Sequence, residues 1–314
     1  VEVLINGMGL GSIYAIVALG FVVVYKTSNV LNFAHGSLGA AGALIFASLL
    51  SDGGLGIGPL AGANPLTRYG DSIWGWGLNL AVALVLAAIL GVVIERVAIR
   101  PMIGRSEFVL VIATIGISIT LQLLVDQAPI GRNLGIPWGG GSWTFGGVLI
   151  TKSAVASIIL ALCSFGALAA FNRTRLGLGA RAVASDREVA MANGVDPGRV
   201  FAASWALAAA FATLAAVAFS FSPRGTGALS TAGTPGLFFR ALPVIAIGGW
   251  DSYQGAYAGG LVIGVLQIAA GRYLSGYESA LGAGYPTILP YLVMIVVLLT
   301  RPAGLFGRPA VRRV

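Results

Sequence analysis

The sequence predicts an all-α, polytopic membrane protein, and two proportions and one spacing predict it. Charged residues make up 10% of the 314, against about 25% in ordinary soluble domains. Apolar residues make up 57%, and they gather into runs approaching the ~20 residues that cross a hydrocarbon core. Between the runs lie glycine-rich or basic loops, none with the makeup of a separate soluble domain. Residues 1–314 therefore read as one transmembrane domain of about eight to nine spanning or partly spanning helices, some of them broken.

The first span, Val3–Tyr25, has no basic stretch ahead of it and no A-x-A-like cleavage site, so it is expected to be retained; no initiator Met is present. Gly7 and Gly11 form G-x-x-x-G beside Asn6 and Ser12, a pattern for close helix packing. Its end, GFVVVYKT, mimics a phosphate-binding loop, but Tyr25 stands where the second glycine is needed and an apolar helix cannot wrap a phosphate. Lys26 reads as an interfacial anchor. The second span, Gly36–Ser51, is short. It follows VLNFAHGSLGAAGAL, where Asn32, His35, Gly36 and Ser37 interrupt two apolar stretches. This is a break between helices, whose freed backbone groups must be satisfied inside protein or by a water-lined cavity. Such helix ends can hold a zwitterion without an ionised side chain. His35 is the sole histidine; direct solute contact and a hydrogen-bonded structural role near the cytoplasmic interface are both open, and the structural role is the expectation. No second ligand nearby makes it a metal site.

After the glycine-rich loop Asp52–Gly75, with Trp74 and Trp76 at its end, the third span runs Trp76–Ile94 and the fourth Phe108–Val125. In the fourth, Thr114, Ser118 and Gln122 repeat at four-residue spacing along one helical face while Ile112, Ile115 and Ile119 cover others. A polar solute route and interhelical hydrogen bonding both fit. Loop Asp126–Gly141 leads to the fifth span, Phe145–Phe171, which holds the lone Cys163; one cysteine makes neither a disulfide nor a thiol cluster. The sixth span is Val200–Phe221, and loop Ser222–Gly236 leads to the short seventh, Phe238–Gly249. The eighth, Gly255–Ala270, and ninth, Gly284–Thr300, complete the set. Pro243 and Gly248–Gly249 mark a second short piece, turn and Gly-rich helix, hinting at related halves of opposite orientation.

If the loops after odd-numbered spans are cytoplasmic, that side takes Lys26, Arg96, Arg100, Arg105, Arg173, Arg175, Arg181, Arg187, Arg199, Arg301, Arg308, Arg312 and Arg313. The other side keeps Arg68, Arg132, Lys152, Arg224, Arg240 and Arg272. The positive-inside rule then puts the N-terminus outside and the C-terminus inside. These charges are scattered, suited to lipid headgroups and not to nucleic acid. Every Asp and Glu falls at a span end or in a loop, whereas an ion-coupled carrier more often keeps an acid at midplane, where it costs on the order of 2.5–3.5 kcal/mol. No catalytic motif is present, so any driving energy comes from another subunit.

The cytoplasmic loop 172–199 offers the connection. Ser185 and Glu188 form an S-x-x-E capping box and Gly194 supplies a stop, predicting a helix over Asp186–Asn193. Val189 and Met191 are placed to pack into a partner, with Arg181, Arg187 and Glu188 at the rim. The alternative is a solvated amphipathic loop lying on the membrane.

The succession INGMGLGSIYAIVALGFVVVY, LNFAHGSLGAAGA, IERVAIRPM, IATIGISITLQ, GLGARAVASDREVAMANGVDPGRV and RPAGLFG resembles membrane permeases of branched-chain amino acid ABC importers, of the LivH type. The resemblance runs from Ile5 to Gly307. It implies a bacterial inner-membrane subunit that pairs with a second, LivM-type permease, two cytoplasmic ATPases and an extracytoplasmic solute-binding protein. ATP and Mg would sit on the ATPases, with no cofactor on this chain. Arg181–Gly194 corresponds to the family's ATPase-coupling loop. The long loop Asp52–Gly75 departs from the pattern. Urea and short-amide importers use permeases of similar appearance; an ion-coupled carrier and a channel or scaffold are the readings from other classes.

Overall fold

A computed structural model describes residues 1–50, 72–128, 133–221, 229, 233–277, 282 and 284–307. Its helices are α1 (Glu2–Ser28), α2 (His35–Leu50), α3 (Ile73–Ile94), α4 (Glu107–Gln127), α5 (Lys152–Phe171), α6 (Arg175–Ser185), α7 (Arg187–Ala192), α8 (Pro197–Phe221), α9 (Gly233–Gly248), α10 (Tyr253–Tyr273) and α11 (Tyr285–Thr300). Among the described residues, α1, α3, α4, α5, α8 and α10 are long and apolar enough to cross a membrane, and α2, α11 and most of α9 are shorter apolar helices. The all-α polytopic expectation holds, because helices satisfy their own backbone groups where no water can.

Burial separates the helices by role. The most apolar window of α1 is 94% buried and that of α8 78%, against 17% for α4 and 28% for α3 and α5. A helix apolar on every side belongs in the interior, and α1 is the hub, packed by α10, α8, α5 and α9. The outer helices show apolar side chains outward: Val85 and Ile89 on α3, Ile112, Ile115 and Ile119 on α4. The Gly7–Gly11 pair is where α10 comes closest. A methyl group on Gly11 would stand 2.5 Å from the Gly260 carbonyl oxygen, and one on Gly7 would stand 2.6 Å from Cα of Val265. Contact between backbones is what small residues permit in a membrane, where packing replaces the hydrophobic effect.

Rising numbers on α1 meet falling numbers on α10, so the two are antiparallel and α9 descends in the same sense as α1. The short helix α9 thus runs opposite to the short helix α2, and it packs on α10, α1 and α11 as α2 packs on α3, α8 and α4, so α1–α4 and α8–α11 are related stretches of opposite orientation, as the repeated short piece hinted. Lys26 fastens the two turns together: its ammonium donates to the Asp251 carbonyl at 3.1 Å and sits 4.6 Å from the Tyr253 ring centre. The terminal segment Arg301–Gly307 folds back over the end of α9, where the Leu305 amide donates to the Ile247 carbonyl at 2.7 Å, supplying one of the partners a helix C-terminus lacks.

One span is corrected. The stretch read as the start of the fifth helix is a β-hairpin, β1 (Ser142–Phe145) paired antiparallel with β2 (Val148–Thr151), and α5 begins only at Lys152. Gly146 and Gly147 have φ of 55° and 81°, the two positive values a tight two-residue hairpin turn needs. Asn6 holds the hairpin on α1: its amide donates to the Leu149 carbonyl at 3.1 Å, and its Oδ1 accepts from the Thr151 N–H and hydroxyl. The α9 helix also starts earlier than read, inside the loop Ser222–Gly236. Residues 51–71 of the glycine-rich loop and Arg68, Arg132, Arg224, Arg308, Arg312 and Arg313 lie outside the described residues. Of the described Lys and Arg, Lys152 and Arg272 lie on the side of the hairpin and Arg240 stands midway along α9; the rest gather at the opposite, basic end.

Candidate solute path and coupling surface

The break is real, and it lies deeper than the sequence suggested. α1 stops at Ser28, Asn29 turns the chain with φ 54°, and α2 starts at His35. Asn32 caps the new helix, its Oδ1 accepting from the Ala34 N–H at 3.1 Å. The His35 ring packs on Gly20, eight residues before the end of α1 and so about 12 Å back along its axis. Thr114 and Ser118, which bond to the break and to the first turn of α2, lie seven and eleven residues into the 21-residue α4. Both rulers put the break within the hydrocarbon depth, and the expected position of His35 near the interface is corrected accordingly. From sequence the turn looked terminal because periodicity says nothing of how far a chain folds back.

Thr114 is fully buried and serves the break directly. Its hydroxyl accepts from the Phe33 N–H at 3.3 Å and shares its hydrogen between the carbonyls of Leu31 at 3.1 Å and Val111 at 2.8 Å. One turn along, Ser118 Oγ lies 2.8 Å from Ser37 Oγ. Gln122 bonds within its own helix, donating to Asp126 at 3.1 Å, and does not join them. Thr114 and Ser118 therefore make interhelical bonds, each worth about 1 kcal/mol net and more where the orphaned alternative is buried.

The interior of the break holds unspent polar groups. Asn32 and His35 are both buried, at 0% and 1% exposure. Among the described residues neither the Asn32 amide nitrogen nor either ring nitrogen of His35 has a hydrogen-bond partner. The Val17 carbonyl faces the ring without reaching bonding geometry. The N–H groups of Gly36 and Ser37 stand in the first turn of α2, where no helical partner exists. His35 is thus held by packing, against Gly20 and Phe238, and the hydrogen-bonded structural role expected for it does not describe its ring. Buried groups without partners are uncommon enough to call for a reason.

The loop 172–199 is more ordered than its reading. Its helix α7 is capped by Asp186 and not by Ser185: the carboxylate accepts from the N–H groups of Glu188 and Val189, both at 3.0 Å. Ser185 is instead the last residue of a helix that sequence reasoning missed, α6, opened by Thr174, whose hydroxyl accepts from the Gly177 N–H at 3.1 Å. That N-cap threonine was the available signal. Gly194, at φ 80°, ends α7: its N–H bonds to the Met191 carbonyl at 2.9 Å, and the Val195 N–H bonds to the Ala190 carbonyl at 3.0 Å. This is the paired-bond stop in which only glycine sits without strain. Ala180, Val183, Ala190, Val200 and Phe201 form a small core beneath α6 and α7, apart from the membrane bundle's own core. Arg187 lies over Phe201 and Arg181 bonds the Asn172 carbonyl, so both are spent partly on their own chain. Glu188 is exposed, and Val189 and Met191 point outward at 57% and 46% exposure.

Comparison with known proteins fits this arrangement. The family described as "Branched-chain amino acid transport system / permease component" matches residues 3–299. The chain belongs to this permease family. It is 31% identical to the high-affinity branched-chain amino acid transport system permease protein BraD of Pseudomonas aeruginosa, over 99% of this chain and 97% of that one. It is 30% identical to LivH of Escherichia coli over 98% and 96%, and 27% identical to a probable LivH of Methanocaldococcus jannaschii over 94% and 89%. No solved structure matches. The permease is a multi-pass membrane protein and, like its relatives, a transport subunit. Among its described residues no cluster of His, Cys, Asp and Glu is arranged to hold a metal.

The fit of His35 against Gly20 gives this permease a sensitive point. A methyl on Gly20 would stand 2.6 Å from Cε1 of His35 and 3.2 Å from Cβ of Phe211. Gly20→Val is expected to push the ring out of the break and lower uptake at least tenfold with the protein still inserted, read by transport assay beside detergent-solubilised yield. Normal uptake would mean that the position of the His35 ring is immaterial to transport.

Proposed function

We propose that this permease is the membrane-spanning subunit of an ATP-driven importer for branched-chain or other apolar amino acids. It works with a second, LivM-type permease, two cytoplasmic ATPases that bind ATP and Mg, and an extracytoplasmic solute-binding protein. The observation that carries the reading is the intramembrane break. Asn32, the His35 ring and the N–H groups of Gly36 and Ser37 offer hydrogen-bond donors at the positive end of α2, an environment suited to a carboxylate without any fixed charge. Thr114 and Ser118 hold that end in place, and Gln122 continues their face. In this reading the basic end is cytoplasmic, with the N-terminus outside and the C-terminus inside.

ATP binding closes the ATPase pair, which moves α7 through Arg181, Asp186, Arg187, Glu188, Val189, Met191 and Gly194. The permease pair switches from inward-open to outward-open, and the solute dropped by the binding protein reaches the break. Different contacts of the ATPases with the two states supply the bias. This chain makes and breaks no covalent bond.

The test is uptake of radiolabelled leucine into proteoliposomes holding the whole complex, with binding protein outside and ATP inside. Isoleucine, valine, glutamate and urea compete. ATP-dependent uptake blocked by the aliphatic amino acids is the expected result. Uptake that follows an imposed ion gradient without ATP would replace the importer with a carrier; ATP-driven uptake of urea or a short amide in place of leucine would keep the mechanism and change the solute.

A further inference from the structure

The connection between α3 and α4 carries a polar device that none of the above uses. At Glu95 α3 widens into a π turn, Glu95–Ile99, and then tightens into a 3-10 turn, Arg100–Met102. Pro101 accounts for the change of pitch, since it has no N–H to continue an α-helical ladder; π turns inside helices occur frequently at functional sites. The altered pitch turns Glu95 fully inward, at 0% exposure, while the next two residues, Arg96 and Val97, remain exposed. The Glu95 carboxylate takes both Nε and Nη2 of Arg100, at 3.0 and 2.9 Å. The same Nη2 donates to the Gly198 carbonyl at 2.7 Å, 98 residues away, in the first turn of α8.

Gly198 stands four residues after the stop of α7. Its N–H bonds to Asp196 Oδ1 at 2.8 Å, and Asp196 pairs with Arg199. One guanidinium thus joins the corner after the coupling helix to the corner between α3 and α4. From there α4 runs to Thr114 and Ser118, which grip the break, and α8 reaches the same region through Gly39 and Gly42 of α2, whose backbone packs on Ala212 and Thr213. A planar guanidinium held bidentately sets direction as well as distance, which a pair serving only to neutralise a buried acid does not need.

We propose that Glu95 and Arg100 are positioning residues for coupling: a strut through which displacement of α7 moves α4, and with it the α1–α2 break, as one unit with α8. The proposal rests on the coupling role given to α7 above. Arg100→Lys keeps the charge beside Glu95 but cannot fork between the carboxylate and the Gly198 carbonyl. Gly198→Leu keeps both members of the ion pair and crowds the guanidinium off the carbonyl, since even a Cβ there would lie 3.3 Å from Cζ of Arg100, with Asp196 Oδ1 at 3.1 Å on its other side.

The experiment measures leucine uptake per ATP hydrolysed in proteoliposomes holding the full complex. Assembly is checked by co-elution of the ATPases, and Val189→Asp on α7 serves as the reference variant. Assembled Arg100→Lys and Gly198→Leu complexes are expected to hydrolyse ATP at rates near the parent while uptake per ATP falls at least tenfold. Should Arg100→Lys fail to assemble, Gly198→Leu decides alone: an unchanged ratio there makes the pair purely structural and overturns the proposal. If Val189→Asp impairs assembly or uptake while both strut variants transport normally, the strut alone is wrong. If Val189→Asp also transports normally, the coupling role of α7 falls and the strut with it.

Discussion

Replacing Gly194 with proline is expected to abolish ATP-driven uptake, by a hundredfold or more, in a permease that still inserts and still packs its membrane core. Gly194 has φ 80°, which proline, fixed near −65°, cannot adopt. The substitution also deletes the N–H that bonds to the Met191 carbonyl. Strain and lost bond together cost roughly 2–5 kcal/mol, a sum that a six-residue helix marginal in water cannot absorb. The damage stays local, because α7 rests on Ala180, Val183, Val200 and Phe201 and contributes nothing to the core around α1. What is lost is the outward presentation of Val189 and Met191 in one fixed geometry. The measurement is ATPase co-purification together with uptake, and Gly194→Ala, tolerated in φ at a cost of about 1 kcal/mol, should fall between parent and proline variant. Full transport by the proline variant would show that α7 need not be ordered for coupling.

How far the sequence reached depended on what each signal measures. Close packing at Gly7 and Gly11 was legible because small residues at helical spacing have one economical use in a membrane. The break at Asn32–Ser37 was legible because polar residues between apolar runs must be accounted for. Its depth was not, since that is set by the contact of His35 with Gly20 and of Thr114 with Leu31 and Phe33, and neither pairing is written in local periodicity. The hairpin was missed because Phe145–Thr151 continues the hydrophobicity of α5, although Gly146–Gly147 marks the turn. The coupling helix was placed within a residue, but its cap fell on Asp186, where a carboxylate outcompetes a serine still engaged in α6. Glu95 was seen only as an acid at a span end; the π turn that buries it has no sequence pattern beyond the following proline.

Asn32 does two separable things, and one substitution separates them. Its Oδ1 caps α2 through the Ala34 N–H, while its Nδ2 is buried without a partner among the described residues. Aspartate preserves the first and reverses the second, setting a carboxylate oxygen where the solute's own carboxylate would accept a hydrogen bond. Aspartate caps helices as well as asparagine does, but burying its charge costs on the order of 2.5–3.5 kcal/mol, so uptake is compared per folded, inserted molecule. If the cap were all that mattered, the folded Asn32→Asp protein would transport normally. If the free amide receives the solute, two carboxylates meet at low dielectric, and uptake per folded molecule is expected to fall at least a hundredfold, a loss of about 2.7 kcal/mol or more in transition-state free energy. Asn32→Ala removes the cap, costs about 1 kcal/mol of stability, and removes the donor without adding repulsion, so its defect per folded molecule should be smaller than that of aspartate. That ordering per folded molecule is the signature of a recognition group. Parallel losses in both variants would instead reduce Asn32 to a helix cap, and the donors that receive the solute would then be the N–H groups of Gly36 and Ser37 with the His35 ring.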